Sequence, residues 1–164
     1  MKKIVGPIFS LILLIFIDGC AGYEPIFGST NLQFEIADYS IITNKKLGRQ
    51  IYSKLYNLTK SNKKNTKTQS ITIIIDITKN KTATAKDSAG KILEYRIALS
   101  SNITIKDYLT DDKILNQTFS YSSTYKVQDQ HSETIKLENK SIENLINKTY
   151  QDLLIKMSKN ILTK

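Results

Sequence analysis

The chain has 164 residues, with 24 Lys or Arg against 15 Asp or Glu, a formal charge of +9, one Cys and one His. That is one domain's worth of polypeptide, basic enough to favour an anionic partner. A lone cysteine excludes an intramolecular disulfide, and one histidine with one cysteine excludes a Cys/His zinc cluster.

Residues 1–19 read as a secretory signal. Lys2 and Lys3 form a charged start, and Ile4 to Ile17 an apolar stretch of 14 residues. That length suits a signal peptide and is short for a membrane-spanning helix. The stretch ends at Ile17-Asp18-Gly19-Cys20, a pattern that resembles a bacterial lipobox, although Asp18 stands where a small residue is usual. Cys20 is therefore the expected lipidation site and the new N-terminus, and Ala21 after it favours delivery to the outer membrane. Loss of Lys2, Lys3 and Asp18 with the signal takes the charge from +9 to +8. Export makes nucleic acid an unsuitable anion; an acidic membrane surface or a phosphorylated glycolipid remains. Lys, Ile and Asn are abundant throughout, so part of the charge reflects composition, against which Arg49 and Arg96 stand out as the two arginines.

Residues 20–30 read as an extended arm punctuated by Gly22, Pro25 and Gly28. Residues 31–164 read as one domain. In it, Leu32, Phe34 and Ile36 alternate with Gln33, Glu35 and Ala37, as in a half-buried strand. Asn44 can cap a helix in which Leu47, Ile51, Leu55 and Leu58 share a face, flanked by Tyr52 and Tyr56. Lys60 to Gln69 reads as a polar loop. Four strand-like runs follow. Ile71, Ile73, Ile75 and Ile77 line one face, with Ile74 on the other, and Lys79-Asn80 is a plausible turn into a run from Thr82 to Ala85. Asp87-Ser88-Ala89-Gly90 is a second turn. Leu93, Tyr95, Ile97, Leu99, Ile103 and Ile105 then line one face of a long strand, and Glu94, Arg96, Ala98, Asn102 and Thr104 the other. Thr110-Asp111-Asp112 turns the chain into Phe119, Tyr121, Tyr125 and Val127. A long helix closes it, through Ile135, Ile142, Leu145, Ile146, Leu153, Leu154, Met157 and Ile161; Asp129, Ser132 and Ser141 compete for its start. These elements give a two-layer α+β sandwich: a roughly four-stranded, mostly antiparallel sheet with two amphipathic helices on one face. The opposite face is left to a partner.

No catalytic constellation emerges. His131 is a solvated residue near a helix start, Asp111-Asp112 is a turn former, and Gly90 is an isolated glycine with no phosphate-binding loop around it. The sequence reads as a non-enzyme with no cofactor.

Tyr23-Glu24-Pro25-Ile26-Phe27, directly after Cys20-Ala21-Gly22, resembles the Cys-Gly-aromatic-x-Pro-Leu-Tyr opening of the LptE family of lipopolysaccharide-assembly lipoproteins. Gly90-Lys91-Ile92-Leu93-Glu94-Tyr95-Arg96-Ile97 is similar to that family's turn glycine followed by Glu-Tyr-Arg-Leu. The last helix, with Leu145, Tyr150, Leu153 and Met157, is similar to the family's C-terminal helix. The resemblance implies a lipid-anchored outer-membrane protein on the periplasmic side. Such a protein plugs the β-barrel translocon LptD, helps it fold and can bind lipopolysaccharide. It also implies glycolipid contacts at Lys86, Lys91 and Lys136, near the turn before the Glu-Tyr strand and near the start of the last helix. Tyr23, Pro25, Phe27 and Arg96 become candidates for the interface with the barrel. Arg96 has a second role open to it, an ion pair with Glu94; Tyr95, on the other face, reads as core. Two other function classes stay open: a membrane-tethered periplasmic lipid carrier or chaperone, and a pilotin-type lipoprotein of another secretion system.

Overall fold

The structure is a computed structural model and describes residues 34–61 and 68–161. It runs β1 (Phe34–Ile41), α1 (Lys45–Ser61), β2 (Gln69–Lys86), β3 (Ile92–Asp107), β4 (Lys113–Lys126) and α2 (His131–Ile161). The sheet order is β1-β2-β3-β4, with β1 parallel to β2 and the other pairs antiparallel. Both helices pack on one face, α1 against β1 and β2, α2 against β4 and β3. The α+β architecture is the one the hydrophobic patterning dictates.

Alternation explains the core. Ile71, Ile73, Ile75 and Ile77 are fully buried, and on β3 so are Ile97, Ile103 and Ile105, with Leu99 nearly so. Register sets Ile73 beside Ile105 and Ile75 beside Ile103, so β-branched side chains pack across the strands. Leu115 and Phe119 extend this surface on β4, and Leu47, Ile51 and Leu55 of α1 with Ile146, Leu153 and Met157 of α2 close it from above. Ser101 lies between Ile77 and Phe119 in register and is fully buried, and its hydroxyl has no hydrogen-bond partner among the described residues.

The start of α1 follows the chemistry of Asn44, whose side-chain carbonyl accepts the Leu47 N–H at 3.2 Å. The junction before it is tied to β2: Thr43 Oγ1 accepts the Ile77 N–H at 2.9 Å, and Ile42 N–H reaches the Ile75 carbonyl at 2.9 Å. Gly48 lets the helix approach β1 closely, since a Cβ there would lie 2.5 Å from Ile41 Cγ2. Tyr39, Tyr52 and Tyr56 form a stacked row on the flank, with centroids 3.9 and 5.8 Å apart.

Several sequence expectations are corrected. Lys79-Asn80 is not a turn. β2 runs unbroken, with Lys79 opposite Leu99 and Asn80 opposite Ala98, because β3 is continuous along it and the pair contains no glycine to supply a positive φ. The reversal occurs at Asp87–Lys91, where Asp87 Oδ1 accepts the N–H groups of Ala89 and Lys91 at 2.9 Å and Gly90 takes φ +84°. β4 begins at Lys113, before the Phe119 run, and buries Leu115. Lys60 is helical and Gln69 is already strand; residues 62–67 lie outside the described residues. α2 is one helix from His131, so Ser141 is a buried mid-helix residue, Ser132 sits in the first turn and Asp129 precedes it. Its first turn opens on the Gln130 carbonyl, which accepts the Glu133 and Thr134 N–H groups at 3.1 and 3.3 Å, and the Thr134 hydroxyl accepts the Gln128 N–H at 2.9 Å. Leu93 and Ile135, placed on core faces by spacing, are 45% and 44% exposed because the sheet and helix ends outrun their cover. His131 is exposed at the helix start, and the second reversal spans Tyr108–Asp112, starting two residues before Thr110, with Asp111 at φ 61° and its N–H on the Asp107 carbonyl at 3.0 Å.

Candidate functional site

Three surfaces carry the polar chemistry. The first is the end of the sheet beyond the core, where the β2–β3 turn and the start of α2 lie together. Val127 N–H bonds the Leu93 carbonyl at 2.9 Å, and α2 starts four residues later. Lys86 and Lys91 flank the turn and are exposed. Lys136 lies at the same end, exposed, its Nζ 2.8 Å from Glu133 Oε1. The fold thus brings the three lysines to one end of the domain, and one of them shares its charge with a carboxylate.

Inward from them, Glu138 reaches down from α2. Its carboxylate takes Lys81 Nζ at 2.6 Å, the Tyr125 hydroxyl at 3.0 Å and Lys79 Nζ at 3.4 Å. Lys81 also lies 4.2 Å from the Tyr95 ring centroid, and Tyr95 stacks on Tyr125 with centroids 5.9 Å apart. Tyr95 is therefore half-buried under a lysine rather than fully within the core. Burial pushes the Glu138 carboxyl up, but the bonds from Lys81 and Tyr125 outweigh it and the net direction is down. For Lys81 burial acts downward and Glu138 outweighs it, so its pKa rises. The three donors hold the Glu138 carboxylate in place between α2 and the sheet. A parallel contact lies further along α2, where the Tyr121 hydroxyl bonds Asp152; burial, then that bond, pushes the phenol up to about 12.

The second surface is the open face of the sheet. Cross-strand rows of small polar side chains line it: Ser100 Oγ meets Ser120 Oγ at 3.2 Å, and Asn102 Nδ2 donates to Thr118 Oγ1 at 3.1 Å. A shallow depression of about 380 Å³ forms over Ala98. Arg96 stands on this face, opposite Thr82 and Thr124, and is exposed. Among the described residues it makes no ion pair with Glu94, which accepts the Thr84 hydroxyl at 2.7 Å.

The third surface, a cleft of about 730 Å³ between α1 and α2, escaped the sequence reading. Lys46, Arg49 and Lys54 border it from α1, and Glu138 and Glu143 from α2. The signal was there in Arg49, whose choice runs against the lysine bias, but pairing its helix with α2 requires the tertiary structure.

Cys20, Tyr23, Pro25 and Phe27 lie outside the described residues. Among the described residues, no group of three His, Cys, Asp or Glu side chains is placed to hold a metal ion, and no helix is long and apolar enough to cross a membrane.

No family model matches the chain, and no curated protein matches it by sequence. Solved structures do match by shape. Rare lipoprotein B from Shewanella oneidensis superposes with a TM-score of 0.54 at 11% identity, over 77% of this chain and 97% of that one. The minor lipoprotein from Acinetobacter baumannii gives a TM-score of 0.52 at 16% identity, over 77% of this chain and 94% of that one. The chain shares its fold with these lipoproteins.

Proposed function

We propose that this protein is a non-enzymatic, lipid-anchored subunit of an outer-membrane lipopolysaccharide translocon, seated as a plug within a β-barrel of the LptD kind and supporting its folding. The observation that carries the reading is the shared fold: nearly the whole of rare lipoprotein B is matched by a chain whose sequence places a lipobox-like cysteine before a family-like arm. The physics is compatible with that role. A wide barrel lumen is lined by mixed polar side chains, and the open Ser/Thr/Asn face with exposed Arg96 offers hydrogen bonds to them. On this reading Arg96, with Tyr23, Pro25 and Phe27 of the arm, meets the barrel. Lys86, Lys91 and Lys136 meet the phosphates of the glycolipid through charge-assisted hydrogen bonds. Cys20 tethers the plug beside its barrel and raises its local concentration there.

Affinity purification of the tagged full-length protein from its own membranes tests the reading. Recovery of a large outer-membrane β-barrel in stoichiometric amount is the expected outcome. Recovery of the protein alone, or with free lipid, would reject it. For the glycolipid contacts, Lys86→Glu, Lys91→Glu and Lys136→Glu together should abolish binding of purified lipopolysaccharide; unchanged binding would remove those three lysines from the site.

A further inference from the structure

We propose that the cleft between α1 and α2 binds an acidic peptide segment of a partner protein. The cleft, at about 730 Å³, is of the size that holds an extended ligand and far exceeds a lone anion. Its charges are unbalanced. Lys79 is engaged by Glu138, which Lys81 also holds, so that carboxylate is spent. Lys46, Arg49 and Lys54 on the α1 side make no ion pair among the described residues, and Glu143 alone opposes them. α1 has no acidic residue in its first turn, so the positive end of its dipole adds to the same field.

The chemistry of the walls selects a peptide over a lipid. The apolar residues at the base, Leu47 and Ile142, are 5% and 9% exposed and offer no slot for an acyl chain. Gln50, Ser53 and Asn139 line the rest and can bond the amides of an extended backbone. Arg49 supplies the planar fork that grips a carboxylate through two bonds, which lysine cannot do. This inference does not depend on the translocon reading.

The test uses the full-length chain in detergent and two fluorescein-labelled peptides, one of alternating Glu and Ser, the other of alternating Gln and Ser. The Glu peptide should bind and the Gln peptide should not. The triple variant Lys46→Gln, Arg49→Gln, Lys54→Gln should weaken the Glu peptide roughly tenfold or more. A control triple of equal charge change, Lys113→Gln, Lys126→Gln, Lys156→Gln, should leave its affinity within about threefold. Circular dichroism checks that both triples are folded. Equal loss in the two triples would reduce the effect to net charge and overturn the proposal, as would equal binding of the two peptides or no binding of either. Vesicles containing phosphatidylglycerol form the last arm. If the α1 triple loses vesicle binding and keeps peptide binding, the cleft reads lipid headgroups and the proposal is overturned.

Discussion

Replacing Gly48 by alanine separates tertiary packing from local propensity, because the two act with opposite sign. In an open helix the change gains about 1 kcal/mol, since glycine loses more backbone entropy on folding. Here Gly48 is buried against β1, and the added Cβ would lie 2.5 Å from Ile41 Cγ2, 3.3 Å from Cγ1 and 3.4 Å from Cδ1. Cγ2 hangs directly on a β-branched carbon, so it yields only if β1 or the helix shifts. Overpacking of this kind costs about 1–3 kcal/mol, and for a contact this short the upper half of that range applies. The net loss for Gly48→Ala is then about 1–2 kcal/mol. Urea unfolding followed by circular dichroism should show a lower midpoint with an unchanged slope, a shift of about 0.5–1 M for a slope near 2 kcal/mol/M. Ile41→Ala should restore the helix gain, so the double variant is more stable than the sum of the singles by about 2 kcal/mol. A Gly48→Ala midpoint at or above that of the parent would refute the close packing of α1 on β1.

Glu138→Ala removes the carboxylate that the Tyr125 hydroxyl and Lys81 share, which should cost about 2 kcal/mol; Glu138→Gln keeps a neutral acceptor and should cost about 1. Because the Glu138 pKa is held below its ordinary 4.5, its contribution is complete above that pH and is lost as the pH falls through the lowered value. Urea midpoints of parent and Glu138→Gln should therefore converge on acidification below pH 4.5, and a gap that persists at low pH would argue against the ion pair. Ser101→Ala removes a buried hydroxyl that has no partner among the described residues, and should raise stability or leave it unchanged within about 0.5 kcal/mol; a loss above 1 kcal/mol by thermal melting would mean the hydroxyl is satisfied. Cys20→Ser should shift the protein from the membrane fraction to the soluble periplasmic fraction, with the acyl mass absent from the mature N-terminal peptide. Unchanged membrane fractionation would end the tether argument.

The clean alternation of Ile71 to Ile77 and of Ile97 to Ile105 was enough to set which face of the sheet is buried, since a period of two assigns sides without knowledge of the partner strands. The helical spacing of Leu47, Ile51 and Leu55, with Asn44 before them, did the same for α1. Sequence also marked the Asp87–Gly90 reversal, where a side chain bonds its own backbone and a glycine takes a positive φ, both local properties. Local rules failed where a neighbouring element outweighed them. Lys79-Asn80 stays extended because an uninterrupted β3 bonds it throughout, and α2 runs unbroken from His131 through Ser141 because its packing on β4 and β3 is continuous across it. Leu93 and Ile135 obey their period and are exposed, since burial depends on how far the opposite layer extends. The Glu138–Lys81–Tyr125 cluster, the gathering of Lys86, Lys91 and Lys136 at one end, and the cleft beside Arg49 all join residues distant in the chain. Periodicity and turn chemistry act over a few residues and so wrote the fold class into the sequence. Which charges meet, and which are left facing a partner, depends on how two helices and four strands pack, and only the tertiary structure decided that.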